Sequence, residues 1–284
     1  VRSLEVLAPG PSALVQDLGR PGLGQLGVPP SGALDVPALR LANRLVGNAS
    51  HEAGLELLLG GFSCRAQASC TIAVTGPAVS VTVDGRQAGS HVPVFVTAGQ
   101  TLEIGTPAAG LRCYLAVSGG IAVDAELGSR SRDVLSEIGP PPLAPGDVVP
   151  LGAAQGIPGG ADELAAACPP PELLVPVLLG PRDDWFDDAA HRLAARWTVT
   201  AESNRVGLRL DGTPLQRKEE RELPSEGLIT GAIQVPPSGL PVVFLADHPT
   251  TGGYPVIGVV AREALPALAQ ARPGTAVRFR YLPV

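Results

Sequence analysis

From Phe62 to Val149, apolar and polar residues alternate in short runs: "TIAVTG", "VSVTVDG", "HVPVFVTAGQTLEIG", "LRCYLAVSGG" and "LAPGDVVPLG". Valine, isoleucine and threonine fill these runs, and glycines recur every ten residues or so, which predicts short strands joined by turns. A second series repeats the pattern: "LLVPVLLG", "WTVT", "RVGLRLDG", "GLITGAIQV", "LPVVFLADH", "YPVIGVVA" and "AVRFRYLPV". Helical spacing appears in "ALDVPALRLANRLVGN", where Leu39, Ala42, Leu45 and Val46 share one face while Arg40, Asn43 and Arg44 fall elsewhere. Asp35 is the expected N-cap, Pro37 sits in the first turn, and Gly47 stops the helix. Two more short helices are predicted from Trp185 to Arg196 and from Arg262 to Gln270.

Both series end alike, in "APGDVV" and "RPGTAV", where a Pro-Gly turn feeds a last strand. The pattern predicts a mainly β chain of two β-barrel-like domains. Residues 1–155, with a short helix near 35–47, form the first, 156–172 a linker, and 173–284 the second. The pentapeptide "VPPSG" also occurs twice, at Val28–Gly32 and Val235–Gly239. Either the domains descend from a duplication, or the match is an accident of a Pro- and Gly-rich chain.

Composition narrows the function classes. The 284 residues are 45% hydrophobic and 17% charged, enough apolar content for a sizeable core. A net charge of −6 and the lack of a basic stripe argue against nucleic-acid binding. The runs "LELLLGG" and "LLVPVLLG" are too short to span a bilayer, and the first residues lack a signal-peptide core. Cys64, Cys70, Cys113 and Cys168 show no CxxC spacing. A cytoplasmic, soluble chain with reduced thiols is the expectation, with no membrane and no nucleic acid among its partners.

Several motifs fail on mechanism. "GLGQLG" fits the dinucleotide pattern, but Val28, Pro29 and Pro30 follow where a helix must start. No Walker A motif occurs, since the one lysine is Lys218, and "HEAGL" at His51 lacks the second zincin histidine. The acidic run "PRDDWFDD" reads as the first turn of a helix, so no metal site is expected.

The richest stretch is "FLADHPTTGGYPVIG". A strand delivers Asp247 and His248 to its end, where a carboxylate beside an imidazole can relay a proton. Thr250, Thr251 and Tyr254 offer hydroxyls, and Gly252 and Gly253 leave backbone N–H groups open to an anion or a planar amide. The alternative is a tight hairpin whose threonines satisfy their own backbone. In "QDLGRPG", Arg20 either takes a carboxylate or pairs with Asp17. "GSRSRD" is an anion loop through Arg130 and Arg132, or a solvated turn. Stiff proline turns lose less entropy on binding, so Ser31, Gly32, Ser238 and Gly239 are expected to line one cleft. Asp35, Asn43 and Arg40 are expected to face the same region, and Gln234, which precedes the second copy, joins the binding set.

The blocks "GVPPSGALDVPALRLANRLVGN", "SGGIAVDAELGSRS", "GPRDDWF", "SNRVGLRLDG" and "SEGLITGAIQVPPSGLPVVFLADHPTTGGYPVIG" resemble, in order, those of the family of C-type subunits of 5-oxoprolinase. That family is also labelled allophanate hydrolase subunit 2, biotin-dependent carboxyltransferase-like or Kip antagonist. The resemblance implies two cyclophilin-like β-barrel domains. It also implies a hetero-oligomer with a B-type sister subunit (allophanate hydrolase subunit 1 or KipI-like), and an A-type subunit (LamB/YcsF-like) for turnover. With them the chain opens 5-oxo-L-proline, a small amide, to L-glutamate using ATP, in a site shared with the partners. Two alternatives accompany it: a carboxyltransferase acting on urea or a related amide, and a regulator that binds a kinase inhibitor. The loop from Asp247 through Pro255 matches the family's most recognisable stretch but departs from it at His248 and Pro249. Covalently attached biotin is not expected, because Lys218 lacks flanking methionines.

Overall fold

The computed structural model describes residues 2–159, 170–218, 221 and 223–283. They divide into two units. The first holds residues 2–20, 31–133 and 137–159, and the second holds 21–30, 134–136 and 170–283. The linear boundary expected near 155 therefore misses two short segments, 21–30 and 134–136, that group with the C-terminal half. Hydrophobic periodicity cannot detect such an exchange, because neither segment carries a strand. Most of the expected linker, from 160 to 169, lies outside the described residues.

The first unit contains two antiparallel sheets. One has six strands, in the order Val148–Pro150, Ser3–Pro9, Phe62–Ala66, Thr101–Ile104, Val81–Val83 and Arg86–Ala88. The other has five, in the order Ser12–Gln16, Gly54–Leu58, Arg112–Val117, Cys70–Thr75 and Val94–Val96. Their apolar faces share one core, which includes Leu4, Val6, Leu102 and Ile104 from the first sheet and Leu55, Leu57 and Leu115 from the second. The strand Arg112–Val117 is buried at all six positions. Cys113, Leu115 and Val117 enter the shared core, while Tyr114 and Ala116 point the other way into clusters with the helix Val36–Leu45. A strand covered on both faces reads as a continuous apolar run, as "CYLAV" does.

That helix starts as its sequence dictates. The Asp35 carboxylate accepts the Ala38 amide at 3.1 Å, and proline occupies the first turn. Leu39, Ala42 and Leu45 are buried as the spacing requires. Asn43 differs: predicted on the polar side, it is fully buried. Its Nδ2 donates to the Glu52 carbonyl at 2.7 Å and its Oδ1 accepts from Asn48 at 2.9 Å, so local hydrogen bonds offset its burial. Beside the helix start, Tyr114 donates to Glu56 at 2.7 Å and accepts the Asp35 amide at 2.8 Å. Burial first, then the charges of Glu56 and Asp35, push the phenol well above its ordinary range.

The second unit is a closed seven-stranded barrel. Around the ring run Glu172–Leu179, Val256–Val260, Ala232–Gln234, Val242–Phe244, Gly207–Asp211, Arg196–Val199 and Ala276–Tyr281. The first and last strands in sequence close it as a parallel pair, Glu172 opposite Ala276 through Val177 opposite Tyr281. Closure leaves no sheet edge. Alternation along Glu172–Leu179 turns Leu173, Val175 and Val177 inward. Trp197 is fully buried and donates Nε1–H to the Leu193 carbonyl at 2.9 Å. The predicted helices are shorter than expected, Ala189–Leu193 and Leu265–Ala269, each near a single 3-10 turn.

The two Pro-Gly turns have one geometry. Asp147 N–H bonds Ala144 O at 3.2 Å with Gly146 at φ 89°, and Thr275 N–H bonds Arg272 O at 3.0 Å with Gly274 at φ 89°. Proline second and a left-handed glycine third define type II turns.

Candidate functional site

The loop "DHPTTGGYP" leaves the barrel strand Val242–Phe244 and forms one side of a pocket of about 490 Å³ within the second unit. Thr251 and Gly252 pair with Glu226 and Gly227 in a two-stranded ribbon, and the Leu228 amide donates to the Thr250 carbonyl at 2.9 Å. The segment 21–30, which turns through the 3-10 helix Gly24–Leu26 and a left-handed Gly27, also lines the pocket. Leu23, Val28, Pro30, Leu228 and Ile229 make the lining largely apolar. Its side-chain hydrogen-bonding groups are His248, Thr230, Thr250 and Thr251. Apolar walls with a few convergent polar groups are the usual build of a small-molecule site.

Three of the five residues predicted as catalytic line this pocket: His248, Thr250 and Thr251. The His248 ring packs near Phe244, and Nδ1 lies 2.7 Å from the Pro249 carbonyl. A carbonyl only accepts, so Nδ1 carries a proton. Asp247 is fully buried and does not line the pocket. Its Oδ2 accepts from Arg205 Nε at 2.8 Å and from the Val134 amide at 3.1 Å, and its Oδ1 accepts from Arg205 Nη2 at 3.0 Å. Tyr254 lies outside the lining, with the Arg217 guanidinium 5.8 Å from its ring centre. Burial holds the Arg217 guanidinium below its ordinary range.

The binding set scatters further. Gln234 Nε2 donates to the Tyr254 carbonyl at 3.1 Å. A Cβ on Gly252 would meet that nitrogen at 2.6 Å and Leu228 Cδ1 at 2.8 Å, so the close approach favours glycine. Gly253 faces no such restriction, its nearest neighbour being Leu223 O at 3.7 Å. Neither glycine lines the pocket. The expected shared lining by both VPPSG turns is not what the pocket has. Val28 and Pro30 line it, and residues 235–239 do not. The second copy instead turns back on its own surroundings: Ser238 Oγ accepts the Leu240 amide, and the Gly239 carbonyl accepts from Leu215 at 2.9 Å.

The remaining predicted residues fall in the first unit, where "QDLGR" and "GSRSRD" form one network. Asp17 neither pairs with Arg20 nor faces solvent. It accepts from Gly19 N at 2.8 Å, Ser129 Oγ at 2.6 Å, Ser131 Oγ at 2.6 Å and Arg130 N at 2.7 Å. Arg20, only 2% exposed, donates to the carbonyls of Glu126 and Ser131. Arg130 Nε donates to the Val123 carbonyl, and Ser31 Oγ to that of Arg132. Gly32 allows close packing, since a Cβ there would sit 2.8 Å from Gly19 N. Asp35 caps its helix and Asn43 is buried, as described above.

Sequence reasoning overlooked Arg205, the segment 134–136 and the wall 21–30. The block "SNRVG" marked Arg205's neighbourhood, yet nothing local tied it to Asp247, 42 residues away. No lysine or arginine lines the pocket, so its residues do not supply the charge that a triphosphate takes. Among the described residues, no group of three or more His, Cys, Asp or Glu could hold a metal, and no helix is long and apolar enough to cross a membrane.

A β-sandwich unit with a closed barrel whose loop carries the pocket defines the class to which the comparisons also lead. Residues 26–281 match the family described as carboxyltransferase domain, subdomain A and B, and the chain belongs to that family. Among individual relatives, the C-type subunit of the Escherichia coli 5-oxoprolinase is 37% identical, over 97% of this chain and 90% of its own length. The urea amidolyase of Saccharomyces cerevisiae is 33% identical over 98% of this chain but only 16% of its own length. The solved Kluyveromyces lactis urea carboxylase superposes with a TM-score of 0.90 at 32% identity, covering 99% of this chain and 27% of that one.

Proposed function

We propose that this chain is the C-type component of a 5-oxoprolinase, which opens the lactam of 5-oxo-L-proline to L-glutamate in a hetero-oligomer with sister subunits. The observation that carries the reading is the length match. The E. coli 5-oxoprolinase component corresponds over 90% of its length, whereas the urea enzymes correspond over a small part of theirs. The pocket suits the amide end of such a substrate, since its lining combines apolar Leu228 and Val28 with the hydrogen-bonding groups of His248 and the threonines, which an amide carbonyl and N–H can use. ATP is proposed to bind on the sister subunits, because the lining here offers no cation. The complex is proposed to be cytoplasmic, and the chain to be inactive alone.

Co-expression with A- and B-type sister chains, followed by an assay of 5-oxoproline-dependent ATP hydrolysis and glutamate release, tests this. Turnover only in the assembled complex is expected. A second reading, transfer of carboxyl from a biotinyl carrier to urea or a related amide, is favoured by the family description itself. Carboxylation with a biotinyl carrier present and no lactam opening would establish it instead. Tight pairing with a sister chain and no turnover of either kind would leave a regulatory binding role.

A further inference from the structure

We propose that Arg205 and Asp247 form the positioning pair of the pocket loop: Asp247 acts not on the substrate but by fixing where His248 and Thr250 stand. Asp247 is fully buried and Arg205 is 5% exposed. The guanidinium reaches both carboxylate oxygens, at 2.8 and 3.0 Å, a fork that sets direction as well as distance. The backbone repeats the link, since the Asp247 amide donates to the Arg205 carbonyl at 3.2 Å. Arg205 is itself held by an Asx turn, in which Asn204 Oδ1 accepts from Val206 N at 2.8 Å and Gly207 N at 3.2 Å. Asp247 also accepts the Val134 amide, so one carboxylate joins three chain segments far apart in sequence.

The next residue, His248, lines the pocket, and Thr250 follows two positions later with its carbonyl on Leu228. A rotation at Asp247 therefore moves every polar group that the loop contributes. Nothing in this arrangement brings the Asp247 carboxylate to the pocket surface. The proposal rests on the 5-oxoprolinase reading only for the reaction it serves; the order of the loop is read from the geometry alone.

Hydrogen exchange on the unaltered chain tests it first. The amides of Val134, Asp247 and Leu228 are expected to open together, and earlier than Ile233 in the barrel wall. Independent opening of Leu228 overturns the proposal. Arg205→Lys and Arg205→Gln come next. Lysine keeps a charge but cannot span both oxygens, so either variant should speed exchange at Leu228 by at least about ten-fold and shift the His248 ring nitrogen signals. A folded variant with both readouts unchanged also overturns the proposal. In the assembled complex, Arg205→Lys is expected to lose about a hundred-fold in kcat/KM, the scale of a small misplacement. Val277→Ala, matched to it in Tm but in the barrel core, should lose little. If the unaltered complex turns nothing over, the 5-oxoprolinase reading fails while the exchange and nitrogen signals still decide the pair.

Discussion

Two buried aspartates, Asp17 in the first unit and Asp247 in the second, are satisfied in opposite ways. Asp17 sits among neutral donors, two serine hydroxyls and two backbone amides. Asp247 faces a guanidinium, and the Val134 amide also donates to it. A hydroxyl can turn to accept, whereas a guanidinium only donates and keeps its charge. The first loop should therefore tolerate loss of charge far better than the second. The difference also fits their settings: the Asp17 network ties its own loops together, and the Asp247 pair backs a pocket wall.

The sharpest way to break this comparison is to remove one side of the ion pair. Arg205→Ala strands a buried carboxylate, and a loss of roughly 3–5 kcal/mol is expected. Both tryptophans, Trp185 and Trp197, lie in the second unit, so urea unfolding followed by their fluorescence reads that loss directly. Asp17→Asn should cost less, about 1–3 kcal/mol, because only part of its donor cage loses a partner. Circular dichroism should register it while the tryptophan transition stays put. Equal losses in the two variants would remove the distinction.

Smaller effects sharpen the contrast. Asp35→Ala removes the N-cap of the first unit's helix and should cost about 1 kcal/mol in the same unfolding assay. His91, 3% exposed and near the Gly76 carbonyl, is held below the ordinary histidine range by burial. Its unfolded form binds the extra proton, so stability is present above about pH 6.5 and falls as pH drops toward the folded value. His91→Gln should flatten that slope in the first unit and leave the tryptophan signal's pH response unchanged. Last, Gly253→Ala should lie within about 0.5 kcal/mol of the parent, since a Cβ there would meet its nearest neighbour, Leu223 O, at an ordinary contact distance of 3.7 Å. A large loss there would mean that the pocket loop is packed from outside as well.

The strand runs were legible because each barrel or sheet face demands alternation, whereas the covering of "CYLAV" on both sides came from the structure. The helix was legible from Asp35 and the Leu39–Ala42–Leu45 spacing. The loop holding His248, Thr250 and Thr251 was legible from its composition. What escaped was anything that needed two distant segments. Asn43 reads as polar on the helical wheel, yet Glu52 and Asn48 satisfy it in the interior. Asp247 beside His248 reads as a proton relay, and nothing local in the sequence shows that Arg205 is bonded to it.

The two copies of VPPSG show where the limit lies. In the first, Ser31 is left-handed at φ 51° and Gly32 follows at 93°. In the second, the left-handed residue is Gly239, after a turn closed on Pro236. By itself the sequence determined which segments alternate, where the chain turns, and which residue types gather in the candidate loop, because those properties depend on neighbours a few positions apart. Only the tertiary structure decided which copy lines the pocket and which aspartate meets an arginine. Proline fixes φ at its own position, but the partners of the flanking residues come from elsewhere in the chain.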